Sequence, residues 1–345
     1  MPRIAFEDFA PGAVFDYAGP HVTRDDIVAF AREFDPQAFH VDEEAAKNTF
    51  FGTLVGSGWH VCALMMRTIV DAVLSDSTSM GAPGIEETRW LIPLRPGDHL
   101  SLRQTVLDTK VSRSRPEMGL VHLRTELLNQ DGKAILEQTN WSMFGRRGAH
   151  IAPFETDRPR PSPGAPLATP PVAGAQFPAR PAPDANAAPY FDDLEIGRVA
   201  ELGSYGFAAD DVVAFARRFD PQPFHVDVEA ARRSHFGELC ASGWHTGAVW
   251  MKMMVHYRQA VTEAVRAAGG VPAQLGPSPG FKNLRWSKPV YVGDTVTYRS
   301  VVAHKRPTGS RPGWGLVLSR NSGTNQLGEE VISFDGCAFW ERRPA

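Results

Sequence analysis

The chain has 345 residues, of which 43% are hydrophobic and 22% are charged, the proportions of a folded globular protein. Its 36 basic and 39 acidic residues give a formal charge of -3 at pH 7, and no block of basic residues marks a nucleic-acid-binding face. The charge argues against a polyanionic partner such as nucleic acid, and the length allows two domains of ordinary size.

The first residues, the longest apolar stretch and the cysteines give expectations about location. Acidic residues stand at positions 7 and 8, where a signal peptide would have its apolar core, so we expect a cytoplasmic protein. Residues 59–74 are mostly apolar but include Arg67 and Asp71, and they fall short of the roughly 20 residues of a membrane span. They predict a buried helix and no membrane anchor.

The three cysteines are Cys62, Cys240 and Cys337. Their spacing predicts neither disulfides nor a zinc site, and we expect small buried hydrophobes.

In chain order, the first predicted helix begins after Thr23. The Thr23 hydroxyl can accept a hydrogen bond from Asp26, and apolar residues follow at helical spacing. These apolar residues are Ile27, Phe30, Ala31 and Phe34. Pro36 disfavours helical geometry at Asp35, so we expect the helix to end there and the chain to continue as a loop.

Two more helices are predicted before the strands. Asp42 stands where a short helix over residues 43–47 needs a cap, and a long buried helix is expected to begin at Gly58. The residues that follow alternate like antiparallel strands. One buried helix followed by long strands predicts an α+β architecture in which an antiparallel sheet wraps the helix.

The pattern of the first half recurs in the second half. Residues 35–42 match residues 220–227 with a shift of 185. From Asp35 to His60, 17 of 26 positions are identical in the second copy. Identity at this level indicates that the two halves arose by duplication of one domain.

The duplication sets the predicted domain boundaries. From residue 89 onward the shift is 196, so the second copy has an insertion of 196 − 185 = 11 residues, around residues 265–280. The predicted domains are residues 1–148 and 190–345. Residues 149–189 are rich in proline and alanine and are expected to form an extended linker. We expect the copies to pack as a pseudo-twofold pair, because each sheet has an edge to cover. The sequence leaves open whether the chain also assembles into a homo-oligomer.

The candidate catalytic residues are two Asp/His pairs, Asp35 with His40 and Asp220 with His225. Their spacing fits neither helix nor strand periodicity, but a curved loop can turn both side chains toward one point. A carboxylate and an imidazole that converge on a water can remove one proton and deliver another. Single residues of these types are more often structural, but recurrence of the whole block favours a catalytic role.

The start of each long helix is a candidate oxyanion and substrate-binding site. It comprises Ser57 and Gly58 in the first copy, and Ser242 and Gly243 in the second. Glycine lets a ligand approach the backbone, and the first N–H groups of a helix carry the positive end of its dipole. Such donors suit a thioester oxygen that becomes an enolate. A serine cap with tightly packed glycine is the alternative, and both roles are compatible.

Other repeated residues carry weaker functional hypotheses. His60 and His245 recur without compact metal-binding spacing, so no metal is expected. Arg67 and Lys252 are equivalent, and a side chain that extends its charged end to solvent or forms an ion pair is favoured there over contact with a phosphorylated ligand. A repeated Ser-Arg-Pro motif indicates a turn, with anion binding as an equal alternative. The two copies of this motif are residues 114–116 and 310–312.

Together these motifs resemble the MaoC-like dehydratase family. The motifs are Phe-Asp-Pro-Gln-x-Phe-His-Val-Asp, Ser-Gly-Trp-His and Ser-Arg-Pro-x-x-Gly-Leu-Val, and they occur in both copies. The resemblance implies a double hotdog of the α+β class, each repeat an antiparallel sheet wrapped around one long buried helix. The family's usual signature has Asn-Pro before the residue that precedes its histidine, whereas this chain has Pro-Gln after the aspartate.

The resemblance also implies a reaction, the reversible hydration of a 2-enoyl-CoA to a 3-hydroxyacyl-CoA. An Asp and a His separated by four residues activate the water in this family, which corresponds here to the two pairs named above. The expected ligand is an acyl-CoA, with no metal or redox cofactor, because the thioester supplies the acidity. A hotdog acyl-CoA thioesterase and a non-catalytic acyl-CoA-binding module are the alternatives. The acyl group, and whether one or both copies work, stay open.

Overall fold

The computed structural model describes residues 4–150, 165–309 and 311–344. The elements of the first repeat are β1 (Val14–His21), α1 (Arg24–Phe34), α2 (Ala38–Val41), α3 (Glu43–Ala46), α4 (Gly58–Ala72), β2 (Gly84–Trp90), β3 (His99–Val111), β4 (Met118–Leu128) and β5 (Ala134–Gly145). The connector, which is the predicted linker over residues 149–189, contains β6 (Gly174–Gln176). The elements of the second repeat are β7 (Val199–Gly206), α5 (Ala209–Phe219), α6 (Pro223–Val226), α7 (Val228–Arg233), α8 (Gly243–Ala267), β8 (Gly280–Trp286), β9 (Thr295–Pro307), β10 (Trp314–Asn325) and β11 (Glu330–Glu341).

The strands of both repeats form one continuous sheet with antiparallel ladders. Its order is β1-β3-β4-β5-β2-β8-β11-β10-β9-β7-β6, so the order in the second repeat mirrors that in the first. The ladder between β2 and β8 joins the two halves, with Ile85 opposite Leu284 and Thr88 opposite Phe281. Buried residues alternate with less buried ones along β4, as expected for a sheet with one face on the core. The α+β architecture predicted from the sequence is confirmed.

The first helix begins and ends where the sequence predicts. The Thr23 hydroxyl accepts the N–H of Asp26 at 3.1 Å, and the Asp26 carboxylate accepts the N–H of Thr23 at 2.9 Å. The helix ends at Phe34, and Asp35 lies in the C-cap position. The loop predicted beyond Pro36 is instead the one-turn helix α2, closed by a 3.0 Å hydrogen bond from the Asp42 N–H to the Ala38 carbonyl.

The two repeats share one hydrophobic core, in which Trp59 of α4 packs against aromatic rings of the second repeat. Its ring stacks on Phe281 of β8 at 5.3 Å between centroids, with an interplanar angle of 6°. Three more rings of the second repeat lie within 6.4 Å of it, those of Trp244, Trp250 and Phe334. Trp59 is 5% exposed, so this single side chain is buried by the partner repeat.

Helices α1 and α5 also meet across the pseudo-twofold interface. Phe30 contacts Phe219 edge to face at 5.6 Å, and Phe34 contacts Phe215 in the same way at 5.6 Å. Arg67 forms an ion pair with Asp71 and donates a 2.9 Å hydrogen bond to the Arg217 carbonyl at the end of α5. Arg67 therefore has the structural role favoured by the sequence, and the predicted pairing of the repeats is confirmed.

Residues 151–164 of the predicted linker lie outside the described residues, but its remaining part and the insertion have more structure than their composition indicates. Residues 174–176 form β6, which pairs with β7 and extends the sheet. The insertion begins inside the long helix of the second repeat: α8 has 25 residues, whereas α4 has 15. Ala188, at the end of the connector, packs against Val261 and Val265 of the lengthened helix. The connector is thus held to the second repeat at both places.

The apolar helix predicted over residues 59–74 corresponds to α4, which lies in the core. Within the described ranges, no helix is both long enough and apolar enough to cross a bilayer. Cys62 and Cys240 are buried thiols, as expected, whereas Cys337 is only partly buried.

A close approach between the two long helices can be tested at Gly247. A Cβ added there would lie 2.3 Å from the Trp59 ring of the other repeat. Alanine normally stabilises a helix interior by about 1 kcal/mol relative to glycine. We expect Gly247→Ala instead to lower the free energy of unfolding by about 1–3 kcal/mol, because the ring cannot move without disturbing the shared core.

Denaturant unfolding of the full chain measures this change, and Gly309→Ala serves as the control because a Cβ there meets open space. A stabilised Gly247→Ala protein would show that the two helices do not meet at this point.

Candidate active site

Asp35 and His40 lie side by side below the protein surface. Asp35 is the C-cap of α1 and His40 lies on α2, so the turn at Pro36 and Gln37 brings the two side chains together. The Asp35 Oδ2 and His40 Nε2 atoms are 3.4 Å apart. The two residues are 3% and 5% exposed. The structure therefore brings the predicted pair together in a site that excludes most water.

The tautomer of His40 follows from its second nitrogen. His40 Nδ1 lies 2.7 Å from the Val55 carbonyl oxygen, which can only accept a hydrogen bond. In the neutral imidazole the proton is therefore on Nδ1, and the Nε2 lone pair faces Asp35. Two acceptors, Nε2 and Oδ2, thus point at the same small volume, an arrangement that fits a water donating one hydrogen to each.

Gln37 fixes the orientation of the Asp35 carboxylate. Its side-chain amide donates a 2.8 Å hydrogen bond to Asp35 Oδ1. A donor on Oδ1 leaves Oδ2 as the oxygen directed at His40, so Gln37 is a positioning residue. Sequence reasoning did not assign this role, although the glutamine is part of the repeated block and recurs as Gln222.

The second repeat reproduces this geometry. The Asp220 Oδ2 and His225 Nε2 atoms are 3.5 Å apart, and Gln222 donates to Asp220 Oδ1 at 2.9 Å. His225 Nδ1 lies 2.7 Å from the Cys240 carbonyl oxygen, so this histidine has the same tautomer as His40. Both predicted pairs are therefore assembled, in two buried sites of the same kind.

The two sites differ at the serine that caps the long helix. Ser242 donates a 2.6 Å hydrogen bond to Asp220 Oδ2 and accepts the N–H of Trp244 at 3.2 Å. Ser57 accepts the N–H of Trp59 at 3.2 Å, and in the described part of the chain it makes no hydrogen bond to Asp35. The Oδ2 atom of Asp220 therefore accepts a serine hydrogen bond that the Oδ2 atom of Asp35 does not receive in the described structure.

The helix-start glycines pack tightly against tryptophan rings. A Cβ on Gly58 would lie 2.5 Å from the Trp90 ring, and one on Gly243 would lie 2.4 Å from the Trp286 ring. Close packing therefore explains both glycines, which was the alternative weighed for these positions. The Gly58 N–H has no hydrogen-bond acceptor among the residues that the structure describes, so the donor of the oxyanion hypothesis is open.

His60 and His245 belong to the apolar core. The His60 ring stacks on Phe30 at 4.6 Å, and the His245 ring stacks on Phe215 at 4.5 Å. Burial lowers the pKa of each imidazole from 6.5 to about 3, so both are neutral at pH 7. Across residues 4–150, 165–309 and 311–344, no three metal-ligating side chains converge.

A family comparison matches the chain twice. The model described as the MaoC like domain matches residues 8–126 and 194–312, which together cover more than half of the chain. Among curated proteins, the mesaconyl-CoA hydratase of Cereibacter sphaeroides is 33% identical over 137 residues, 40% of this chain and 33% of that protein. The 3-hydroxybutyryl-CoA dehydratase of Methylorubrum extorquens is 30% identical over 158 residues, 44% of this chain and 82% of that protein.

Solved structures resemble the whole chain in fold. A MaoC-domain protein of Chloroflexus aurantiacus superposes with a TM-score of 0.75 at 17% identity, over 100% of this chain and 99% of its own. A double hotdog protein of Mycobacterium tuberculosis superposes with a TM-score of 0.68 at 16% identity, over 97% of this chain and 98% of its own. These likenesses confirm the double hotdog that the sequence predicts.

The buried core histidines predict a loss of stability in acid. The unfolded chain binds protons on these imidazoles below pH 6.5, whereas the folded chain does so only near pH 3. Their contribution to stability is therefore complete above pH 6.5 and is lost as the pH falls from 6.5 toward 3. We expect each of the two histidines to lower the free energy of unfolding by about 2 kcal/mol when the pH falls from 7 to 5.

Urea unfolding at both pH values measures this difference, with the double variant His60→Gln, His245→Gln as the comparison. We expect a lower absolute stability for the variant but a flatter pH dependence. An unchanged difference between pH 7 and pH 5 would assign the acid sensitivity to other groups.

Proposed function

Because the chain belongs to the MaoC-like domain family, we propose that it is a hydro-lyase that reversibly adds water to a 2-enoyl-CoA to give a 3-hydroxyacyl-CoA. The observation that carries this proposal is the buried carboxylate–imidazole pair with two acceptors directed at one point, present in both repeats. Two relatives that are named as a CoA-thioester hydratase and dehydratase support it, each matching less than half of this chain.

In the proposed reaction, one water donates its two hydrogens to Asp35 Oδ2 and His40 Nε2. This leaves an oxygen lone pair of the water free to attack C3 of the enoyl thioester. Asp35 accepts one proton from the water as the new C–O bond forms, while the other hydrogen stays on the product hydroxyl. Asp35 Oδ2 passes its proton to His40 Nε2, 3.4 Å away, and His40 delivers it to C2 on the same face. The sum is the syn addition of H and OH across the C2–C3 bond, with the pair returned to its starting state.

Charge develops on the thioester oxygen as C3 is attacked. We assign its stabilisation to the open N–H of Gly58 at the positive end of α4, and to Gly243 at the start of α8. Neither a metal nor a redox cofactor takes part in the proposed chemistry, because conjugation with the thioester stabilises the carbanion at C2. The Asp220 and His225 pair would act in the same way in the second site.

The proposed activity predicts the products of a simple assay. The full chain, incubated with a panel of 2-enoyl-CoA thioesters of different chain length, branching and terminal charge, should convert at least one of them to a species heavier by one water. Mass spectrometry distinguishes this outcome from hydrolysis, which releases free CoA. Release of CoA without hydrated thioester would assign the site to a thioesterase, and binding without turnover would assign it to a non-catalytic acyl-CoA-binding module.

The two sites can be separated by replacing their bases. Asp→Asn preserves volume and removes the base, and loss of a general base lowers the rate by about 10²- to 10⁴-fold. We expect Asp35→Asn and Asp220→Asn each to leave part of the activity, and the double variant to be almost inactive. We expect the Asp220→Asn protein to retain more, because Asp35 lacks the serine hydrogen bond that occupies Asp220.

Steady-state rates of the four proteins on the best substrate of the panel make this comparison. A single variant as inactive as the double variant would show that only one repeat works.

A further inference from the structure

We propose that the entrance of each site is completed by the opposite repeat, and that Arg311 of the second repeat binds the phosphate groups of the CoA thioester that enters the Asp35 site. On this basis the first site has a cation for CoA, whereas the equivalent cation at the second site is neutralised. The inference rests on the proposed function, since it assumes that CoA thioesters enter these sites.

A wall of aromatic rings leads from His40 to the surface. The His40 ring contacts Phe39 at 4.4 Å, Phe39 contacts Phe51 at 5.2 Å, and Phe51 contacts Phe50 at 5.6 Å. The last ring, Phe50, is 44% exposed. The wall therefore begins at the catalytic imidazole and ends in solvent, as the side of a channel for an extended thioester arm would.

Arg311, from the loop between β9 and β10, stands at the outer end of this wall. Its guanidinium lies 4.5 Å from the centre of the Phe50 ring, although the two residues belong to different repeats. Trp314 of the same hairpin contacts Phe50 edge to face at 6.4 Å. The aromatic faces hold the guanidinium at the outer end of the aromatic wall without consuming its hydrogen-bond donors.

No carboxylate neutralises the charge of Arg311 within the described structure. Arg311 is exposed, and in the described ranges no carboxylate lies within ion-pair distance of it. A planar guanidinium with free donors is the side chain best suited to bind phosphate oxygens in a bidentate manner. The pantetheine arm of a CoA thioester holds its phosphates away from the reacting carbons. Such a substrate therefore requires a cation at the outer end of the aromatic wall, and not in the buried site.

The duplication supplies an internal comparison at the second site. Arg115 is equivalent to Arg311, and its charge acts on His235, the residue equivalent to Phe50, in the opposite repeat. Arg115, however, forms a 2.8 Å ion pair with Glu117. Position 313, equivalent to Glu117, is a glycine, so the first site lacks this neutralising carboxylate. The same loop therefore presents an unneutralised cation at one site and an internal ion pair at the other.

The test uses the full chain with one site inactivated at a time. In the Asp220→Asn background, where only the first site can turn over, Arg311→Gln should raise KM for the enoyl-CoA about five- to tenfold and leave kcat unchanged. KM for the matching N-acetylcysteamine thioester, which lacks all phosphates, should not change. Added salt should shrink the difference in KM between the proteins with and without the Arg311→Gln substitution.

The matched control is Arg115→Gln in the Asp35→Asn background, where only the second site works. It should change KM for the enoyl-CoA less than twofold, because Glu117 already neutralises this cation. Conversely, Glu117→Gly should remove the neutralising carboxylate from Arg115 and lower KM at the second site. An equal rise of KM for both thioesters in the Arg311→Gln protein, or a fall in its melting temperature with no change in KM, would overturn the proposal.

A binding measurement separates failure of this inference from failure of the proposed function. Calorimetry with coenzyme A and with pantetheine needs no turnover. If no enoyl-CoA gains water, the hydratase proposal fails, yet Arg311→Gln should still weaken coenzyme A binding about five- to tenfold and leave pantetheine binding unaffected. If turnover is normal and Arg311→Gln changes neither KM nor coenzyme A binding, the hydratase proposal stands and the role of Arg311 is refuted.

Discussion

The structure depends on the apolar surface that the two repeats bury against each other. Trp59 is covered by rings of the second repeat, and the ladder between β2 and β8 pairs an edge strand of each sheet with the other. A lone hotdog repeat would expose both the edge and the tryptophan face, which is a condition that folded domains avoid. The same interface holds the segments that carry the Asp/His pairs: Phe34, which packs on Phe215 across it, immediately precedes Asp35. Packing of the two repeats and placement of Asp35 therefore depend on the same contacts.

Duplication has preserved the reacting groups and let their surroundings diverge. Each repeat retains the aspartate, the histidine and a glutamine that orients the carboxylate. The differences lie one contact further out: a serine hydrogen bond on Asp220 alone, an ion pair on Arg115 alone, and a longer α8. These differences leave the geometry of each Asp/His pair unchanged and alter only the groups around it. The two sites of this chain are therefore structurally unequal, whereas those of a symmetric homodimer are identical.

Backbone carbonyls determine the histidine tautomer in both Asp/His pairs. The carbonyls of Val55 and Cys240 accept from the histidine Nδ1 and so leave Nε2 as the acceptor. Because a carbonyl serves whatever the side chain, valine and cysteine can exchange at this position without effect on the tautomer. This accounts for a histidine–carbonyl contact that both repeats share at a position where their sequences differ.

The sequence alone determined the duplication, the capped helix ending at Asp35, the buried helix from Gly58 and the Asp/His pairs, because each of these follows from local spacing, capping chemistry or identity between copies. Its pattern also indicated the α+β class. Only the tertiary structure decided which carbonyl faces each histidine, that Trp90 and Trp286 account for the glycines, that the connector contributes β6, and that Arg311 reaches Phe50 of the other repeat. These contacts join residues far apart in the chain, through backbone atoms or across the interface between repeats, where no local pattern in the sequence records them.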